Sequence, residues 1–309
     1  MEQQPQDVDR LAAINAIAWR GDPAVAIPMY DQAIAQDPAD ARAYAFRGLA
    51  YRRLGNYHQA MADLNHAIEL DPTFAMGYVI RGSTHRGLGN FQKALADYTE
   101  AIRIDPQYAA AYANRAMVQE DLGNLEAAAS EYDHAIMHNP DYAVAYNNRG
   151  LVLAMLGRHE EAIRDYHRAI NLDHDDPSAY FNLGLAHAAL ECYDEAIDDY
   201  DAALALDDQD AGFYVNRGAA YDALGDTWQA IQDYSQAITL DPAMAQAYYN
   251  RGLCYSELGE YHQALQDFTA AIQLDPGDPD LYRTRAEIHT TLGDMDRATM
   301  DYKKAEELE

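Results

Sequence analysis

Asn114, Asn148, Asn182, Asn216 and Asn250 stand 34 residues apart. A carboxamide donates through its nitrogen and accepts through its oxygen, so a row of them can hydrogen-bond a peptide backbone without reading its side chains. Asparagine in mid-helix serves neither a cap nor a turn, which points these five toward a partner. A second series runs beside the first: Arg47, Arg81, Arg115, Arg149, Arg217, Arg251 and Arg285. Sixteen residues after each stands an acid: Asp63, Asp97, Glu131, Asp165, Asp233, Asp267 and Asp301. That spacing predicts ion pairs, within a repeat or between neighbouring ones. A charge so close to a small-residue helix interface needs a partner, so this series belongs to the fold.

Other reactive groups carry less. His134 and His138 are four apart beside Asp133, a spacing able to hold a transition metal. No third strong ligand accompanies them, so an exposed histidine pair and no metal are expected. The turns DHDDP (173–177) and DDQD (207–210) lack the twelve-residue calcium-loop pattern. Cys192 and Cys254 are too few for a disulfide framework and too far apart in the repeat to bridge. Neither a phosphate-binding glycine loop nor a nucleophile–base pair is present, so no cofactor and no enzymatic activity are expected.

The 309 residues carry a net charge of −29. Such a surface repels nucleic acid and anionic membranes, whose recognition depends on Lys and Arg. Protein or peptide partners of basic or amphipathic character fit better. The N-terminus, MEQQPQDVDR, has no positive n-region, and the run LAAINAIAW is too short to span a bilayer. A soluble, cytoplasmic chain is expected.

The elements that position these residues follow the same 34-residue period. LDP or a close variant ends at Pro38, Pro72, Pro106, Pro140, Pro242 and Pro276, and LDH and LDD keep the beat at His174 and Asp208. Each unit reads as two helices around a Leu-Gly turn, the glycine supplying the left-handed conformation that ends a helix. Small residues face large ones, as Gly150 and Ala162 do beside Tyr146 and Tyr166. Asp176-Pro177 and Asp278-Pro279 mark helix starts.

The array takes in 1–309, leaving nothing for a second domain. Residues 7–40 are a degenerate unit, with Ile14 in the glycine slot and Pro28 inside the second helix, which should kink or start late. Seven regular units follow over 41–276. A capping unit occupies 277–309, with Thr299 and Glu306 in slots that are Ile or Leu elsewhere. Unit 177–208 departs from the rule: Leu183 replaces the Arg, Glu191 replaces the turn glycine, and Asp199 stays. Its many acids read as a solvated face, with a hinge or a dock for a basic partner as alternatives.

Tyr44, Gly48, Tyr51, Ala60, Leu64, Ala67 and Pro72 in one unit, and Tyr248, Gly252, Tyr255, Ala264, Phe268, Ala271 and Pro276 in another, resemble the tetratricopeptide repeat (TPR) motif. The resemblance implies an all-α, right-handed superhelical solenoid of about nine helix-turn-helix units, with first helices lining a concave face. It places the asparagine slot in that groove. Met117, Asn147, Leu151, Met155, Phe181, Leu185, Val215, Tyr249 and Leu253 should flank the row, some of them packing between first helices. Such a surface suits an apolar or amphipathic segment. Phe46 and Ile80 replace the asparagine in the early units, beside Arg42, Arg52, Arg53 and Arg86, a candidate basic pocket for acidic peptide groups. The Lys-and-Asn set with which some family members clamp acidic tails is absent. The expected function is a non-enzymatic scaffold holding a partner's peptide in its groove. The alternative is a structural scaffold that self-assembles through its terminal units.

Overall fold

The computed structural model describes Ile14 and residues 22–308. Among them are seventeen α-helices and no strand, in two compact bodies that divide at Leu156 and Gly157. The N-terminal body holds α1 (Pro23–Gln36), α2 (Ala41–Arg53), α3 (Tyr57–Leu70), α4 (Ala75–Gly87), α5 (Phe91–Ile104), α6 (Ala109–Asp121), α7 (Leu125–His138) and α8 (Ala143–Met155). The C-terminal body holds α9 (His159–Leu172), α10 (Pro177–Ala189), α11 (Tyr193–Leu206), α12 (Ala211–Ala223), α13 (Thr227–Leu240), α14 (Ala245–Glu257), α15 (Tyr261–Leu274), α16 (Pro279–Thr291) and α17 (Met295–Leu308). Within each body, first and second helices of a repeat pack as hairpins (α2 with α3, α12 with α13), and each second helix packs on the next first helix. No helix among the described residues is long and apolar enough to cross a membrane.

Local chemistry sets the helix ends. Asp40, Asp176, Asp210 and Asp278 cap their helices by accepting the N–H two residues on, at 2.7–3.0 Å. At the far ends, the aspartate of LDP accepts from the second residue after it: Asp71 from Thr73 at 2.9 Å, Asp105 from Gln107 at 3.0 Å. LDH and LDD keep the same bond, Asp173 from Asp175 and Asp207 from Gln209. The aspartate therefore makes this turn, and the register survives loss of the proline.

Interhelix spacing is set by small residues under rings. A Cβ added at Gly82, Gly184, Gly218 or Gly252 would lie 2.6–2.9 Å from the ring of Tyr98, Tyr200, Tyr234 or Phe268. In the first unit Ile14 fills the glycine slot and is buried with Tyr30 against Ala26, Ala43 and Ala50. Residues 7–13 and 15–21 of that unit lie outside the described set. The late start expected of its second helix is not found. Asp22 caps it, accepting from Ala24 at 2.8 Å, Pro23 opens it, and Pro28 sits inside. Asp22-Pro23 is a start signal in its own right, and it holds the helix in register.

Among the described residues, seven inter-helix turns use glycine at φ of 71–80°, and one more uses Glu191 at 60°. A left-handed residue with a Cβ is strained by roughly 1–2 kcal/mol, partly offset by the greater freedom glycine loses on folding. Glu191→Gly should therefore stabilise the protein by about 0.5–1 kcal/mol. A thermal melt checks this, and a lower Tm contradicts it.

Candidate functional site

The arginine series is built as the spacing predicted, with more partners than it predicted. Arg47, Arg81, Arg217, Arg251 and Arg285 each grip the aspartate sixteen residues on through Nε and Nη2, at 2.7–3.0 Å. Arg115 holds Glu131 at 2.8 Å. The third arm, Nη1, reaches sixteen residues back, to Asp31, Asn65, Thr99, Asp133, Ser235 or Thr269, and links neighbouring repeats. Each guanidinium also lies over the tyrosine three residues before it, at 5.4–5.8 Å. Where Leu183 interrupts the series, Asp199 takes His187 instead, Nδ1 to Oδ2 at 2.6 Å. Burial pushes the Asp199 carboxyl above its usual range. These residues are held by internal contacts within and between neighbouring repeats, a role in the fold.

The asparagines are half-buried in every repeat that has one. Asn114 Nδ2 donates to the Ala110 carbonyl at 2.7 Å, and Asn216 Nδ2 to that of Gly212 at 2.8 Å. Burial pushes the Tyr132 and Tyr234 hydroxyls up, and Asn148 beside the one and Asn250 beside the other oppose that rise. Tyr132 donates to Glu120, whose carboxyl burial pushes up. One N–H of Asn114 and one of Asn216 are thus spent on fixing the amide plane. Asn216 keeps its Oδ1 and second N–H free of partners among the described residues. Asn114 Oδ1 receives a bond from Ser83 at 3.4 Å, and Asn250 Oδ1 one from Gln246 at 2.7 Å.

The expected flank divides in two. Phe181 lies 4.7 Å from Phe213, Tyr249 lies 5.9 Å from Phe268, and Val215 and Leu253 pack into the same helix interfaces. These four act mainly as core. Met155 is 66% exposed and Leu185 37%, while Asn147 and Leu151 are half-buried. Met117 packs on the core with one side and lines a cavity with the other.

That cavity, of about 670 Å³, brings together Arg52, Arg86, Asn114 and Met117 with Ser83 and Asp121. Arg86 is paired with Asp121 at 2.5 and 3.0 Å. The other two residues of the expected basic pocket stand apart from it. Arg42 is tied to Asp40 at its own helix start, 3.3 Å from Nε, and Arg53 does not line the cavity. Spacing alone pointed to neither Ser83 nor Asp121.

The remaining candidates are accounted for by packing. His134 and His138 both lie against the Tyr112 ring, at 5.4 and 5.3 Å. Cys254 is buried and donates to Asp222 at 3.3 Å, and burial pushes its thiol well up. It and Cys192 are unbridged.

Comparison with known proteins places this arrangement. Tetratricopeptide repeat profiles match residues 41–74, 109–142, 131–164, 177–210 and 245–278, and a TPR repeat profile matches 82–123, 152–191 and 223–259. No curated protein matches the sequence. Many solved structures share the fold, three of them as follows. The APC/C hetero-tetramer Cut9–Hcn1 is 18% identical at a TM-score of 0.65, over 96% of this chain and 55% of that one. A tetratricopeptide repeat protein from Parabacteroides merdae is 20% identical at 0.58, over 84% and 99%. YrrB, described as a TPR protein with an unusual peptide-binding site, is 24% identical at 0.52, over 60% and 95%. With repeat profiles spanning well over half of its length, the chain belongs to the tetratricopeptide repeat family of protein-interaction scaffolds.

Proposed function

We propose that the protein is a non-enzymatic scaffold that holds a peptide segment of a partner protein against its first helices. In either body the asparagine amides hydrogen-bond a segment's backbone, with Met117, Leu151 and Met155 on its apolar side in the N-terminal body and Leu185 in the C-terminal one. The observation that carries this reading is the state of the amides. Asn114 and Asn216 each use one N–H to fix the amide plane, and Asn216 retains an acceptor and a donor for a partner. Side chains already held lose little freedom on binding, and affinity benefits. The peptide-binding site stated for YrrB, a protein of the same fold, supports the assignment. A net charge of −29 favours a segment that is basic or amphipathic overall.

Changing Asn148, Asn182 and Asn216 together to Ala should cut partner recovery in a pull-down at least tenfold, with the helical circular dichroism intact. Undiminished recovery by the folded variant would sink the proposal. Self-assembly is the second reading, favoured by the side chains that α17 leaves exposed, Met300 at 71% above all. Sedimentation velocity across a concentration range discriminates, since a monomer throughout removes it.

A further inference from the structure

His262, His289 and Arg297 stand on α15, α16 and α17, each in a defined slot of the repeat. Six repeats earlier the same slots hold His58, His85 and Lys93. No other unit has more than one histidine, lysine or arginine among the three; the unit before the last has Trp228, Tyr255 and Gln263. In the C-terminal body the three residues line one cavity of about 760 Å³, together with Gln266, Thr269 and Arg285. Its wall holds a single acid, Asp301. In a chain with 51 acidic residues against 22 lysines and arginines, that balance is out of keeping.

The wall is rich in donors that have no acceptor. Asp301 is already filled by Arg285 Nε and Nη2, at 2.8 and 2.7 Å. Thr269 Oγ1 accepts from Arg285 Nη1 at 3.1 Å, and its own O–H has no acceptor among the described residues. Thr284, Thr290, Thr291 and Thr299 instead spend theirs on the carbonyl four residues back. His289 is 7% exposed, yet its ring makes no hydrogen bond among the described residues. Nor is it sealed: the unpartnered nitrogens shut off from water belong to Arg52, His85, Arg115 and His159, so the His289 ring reaches the cavity. Arg297 meets only Asp294, at 3.5 Å and 70% exposure, a surface pair of little strength. A cation is a poor guest here. No group of three His, Cys, Asp or Glu side chains among the described residues could hold a metal, and two guanidinium groups would repel one. A carboxylate has two oxygens, whereas a phosphoryl group presents three strong acceptors and close to two charges. That matches donors brought from three helices. We infer that this cavity binds the phosphoryl dianion of free phosphate or of a small phosphomonoester, with His289, Arg297 and Thr269 as donors and the exposed His262 and Gln266 at its mouth. The site is built mainly on second helices, so it does not depend on the peptide-binding reading for the first-helix face.

The test uses the full chain labelled with ¹⁵N at histidine, and follows the ring-nitrogen signals of His289, assigned by their loss in His289→Tyr. The probes are inorganic phosphate, phenyl phosphate, benzoate and sodium chloride, at matched ionic strength and constant pH 7. Phosphate should move the His289 signals saturably, and about tenfold or more tightly than benzoate. Tighter binding of phenyl phosphate than of phosphate identifies an ester as the ligand, and the reverse order identifies the free ion; either order supports the site. His85 is the internal control. Its Nδ1 is sealed and its Nε2 lies 4.0 Å from Asp97, so its signals should stay in place. His289→Tyr carries the residue that fills this slot as Tyr51, Tyr221 and Tyr255. It should fold, and the response of His262 should vanish in it. If it does not fold, Arg297→Gln serves, an exposed change to the residue found at Gln263, with phosphate affinity lowered about tenfold. Unmoved His289 signals, a shift that tracks chloride, or benzoate binding as tightly as phosphate overturns the site. So does His85 responding in step with His289, or an undiminished His262 response in folded His289→Tyr.

Discussion

Arg217→Leu should destabilise the C-terminal body by about 3–5 kcal/mol, the usual cost of breaking a buried pair from one side. Arg217 donates from Nε and Nη2 to Asp233 at 2.8 and 2.7 Å, from Nη1 to Asp201, and covers the Tyr214 ring. The pairing with Asp233 holds its guanidinium above even the usual arginine value. Removing it leaves Asp233, 6% exposed, without a counter-charge. The exposed Asp201 loses little, since surface pairs contribute about 1 kcal/mol or less. Denaturant unfolding reads the effect. The Arg217→Leu, Asp233→Leu double variant should be less destabilised than the sum of its parts, because it removes the orphaned charge. A loss below about 1 kcal/mol for Arg217→Leu would show that the pair is not buried in effect.

The next residue predicts a change of sign. A Cβ on Gly218 would sit 2.9 Å from Tyr234 Cε1 and 3.2 Å from Asp233 Cβ. Gly218→Ala should cost about 1–3 kcal/mol by overpacking. Tyr234 is 1% exposed, and Tyr234→Ala should cost about 3–5 kcal/mol. Once the ring is gone, the added methyl meets only Asp233 Cβ at 3.2 Å, which a shift of a few tenths of an ångström relieves, and alanine is the better helix former by roughly 1 kcal/mol. Gly218→Ala should therefore stabilise the Tyr234→Ala protein. The cycle is read by urea midpoints at constant m-value. An equal cost in both backgrounds would show that the glycine is not there to admit the ring.

Much of this was legible in the sequence because a repeat states each rule several times. The turn glycines, the LDP beat and the arginine-to-acid spacing all recur, and the structure realises them in each body. The third arm of each arginine was missed, although the residue sixteen before it is polar every time: Asp31, Asn65, Thr99, Asp133, Asp201, Ser235 and Thr269. His187 as the substitute partner of Asp199 was missed, although its slot also holds His85 and His289, with Tyr, Gln or Leu in the other units. The basic pocket split for a helical reason. Arg52 and Arg53 are adjacent, so their side chains diverge by about 100° around the axis, and only one can face a given cavity. Arg42 is caught by its own N-cap. Phe181 and Tyr249 share a slot with Asn147, and spacing alone does not separate a ring that packs on the next first helix from one that faces a groove.

Asn216 and Arg217 are neighbours on α12 with opposite proposed duties: the amide for a partner, the guanidinium for the fold. Asn216 Nδ2 bonds the Gly212 carbonyl, which the helix already supplies with a backbone N–H. Losing that redundant bond is offset by the better helix propensity of alanine. The decisive measurement is the unfolding free energy of Asn216→Ala beside that of Arg217→Leu. The account predicts Asn216→Ala within about 0.5 kcal/mol of the parent and Arg217→Leu several kcal/mol below it. Equal losses from the two substitutions would contradict it, by making the asparagine row part of the fold.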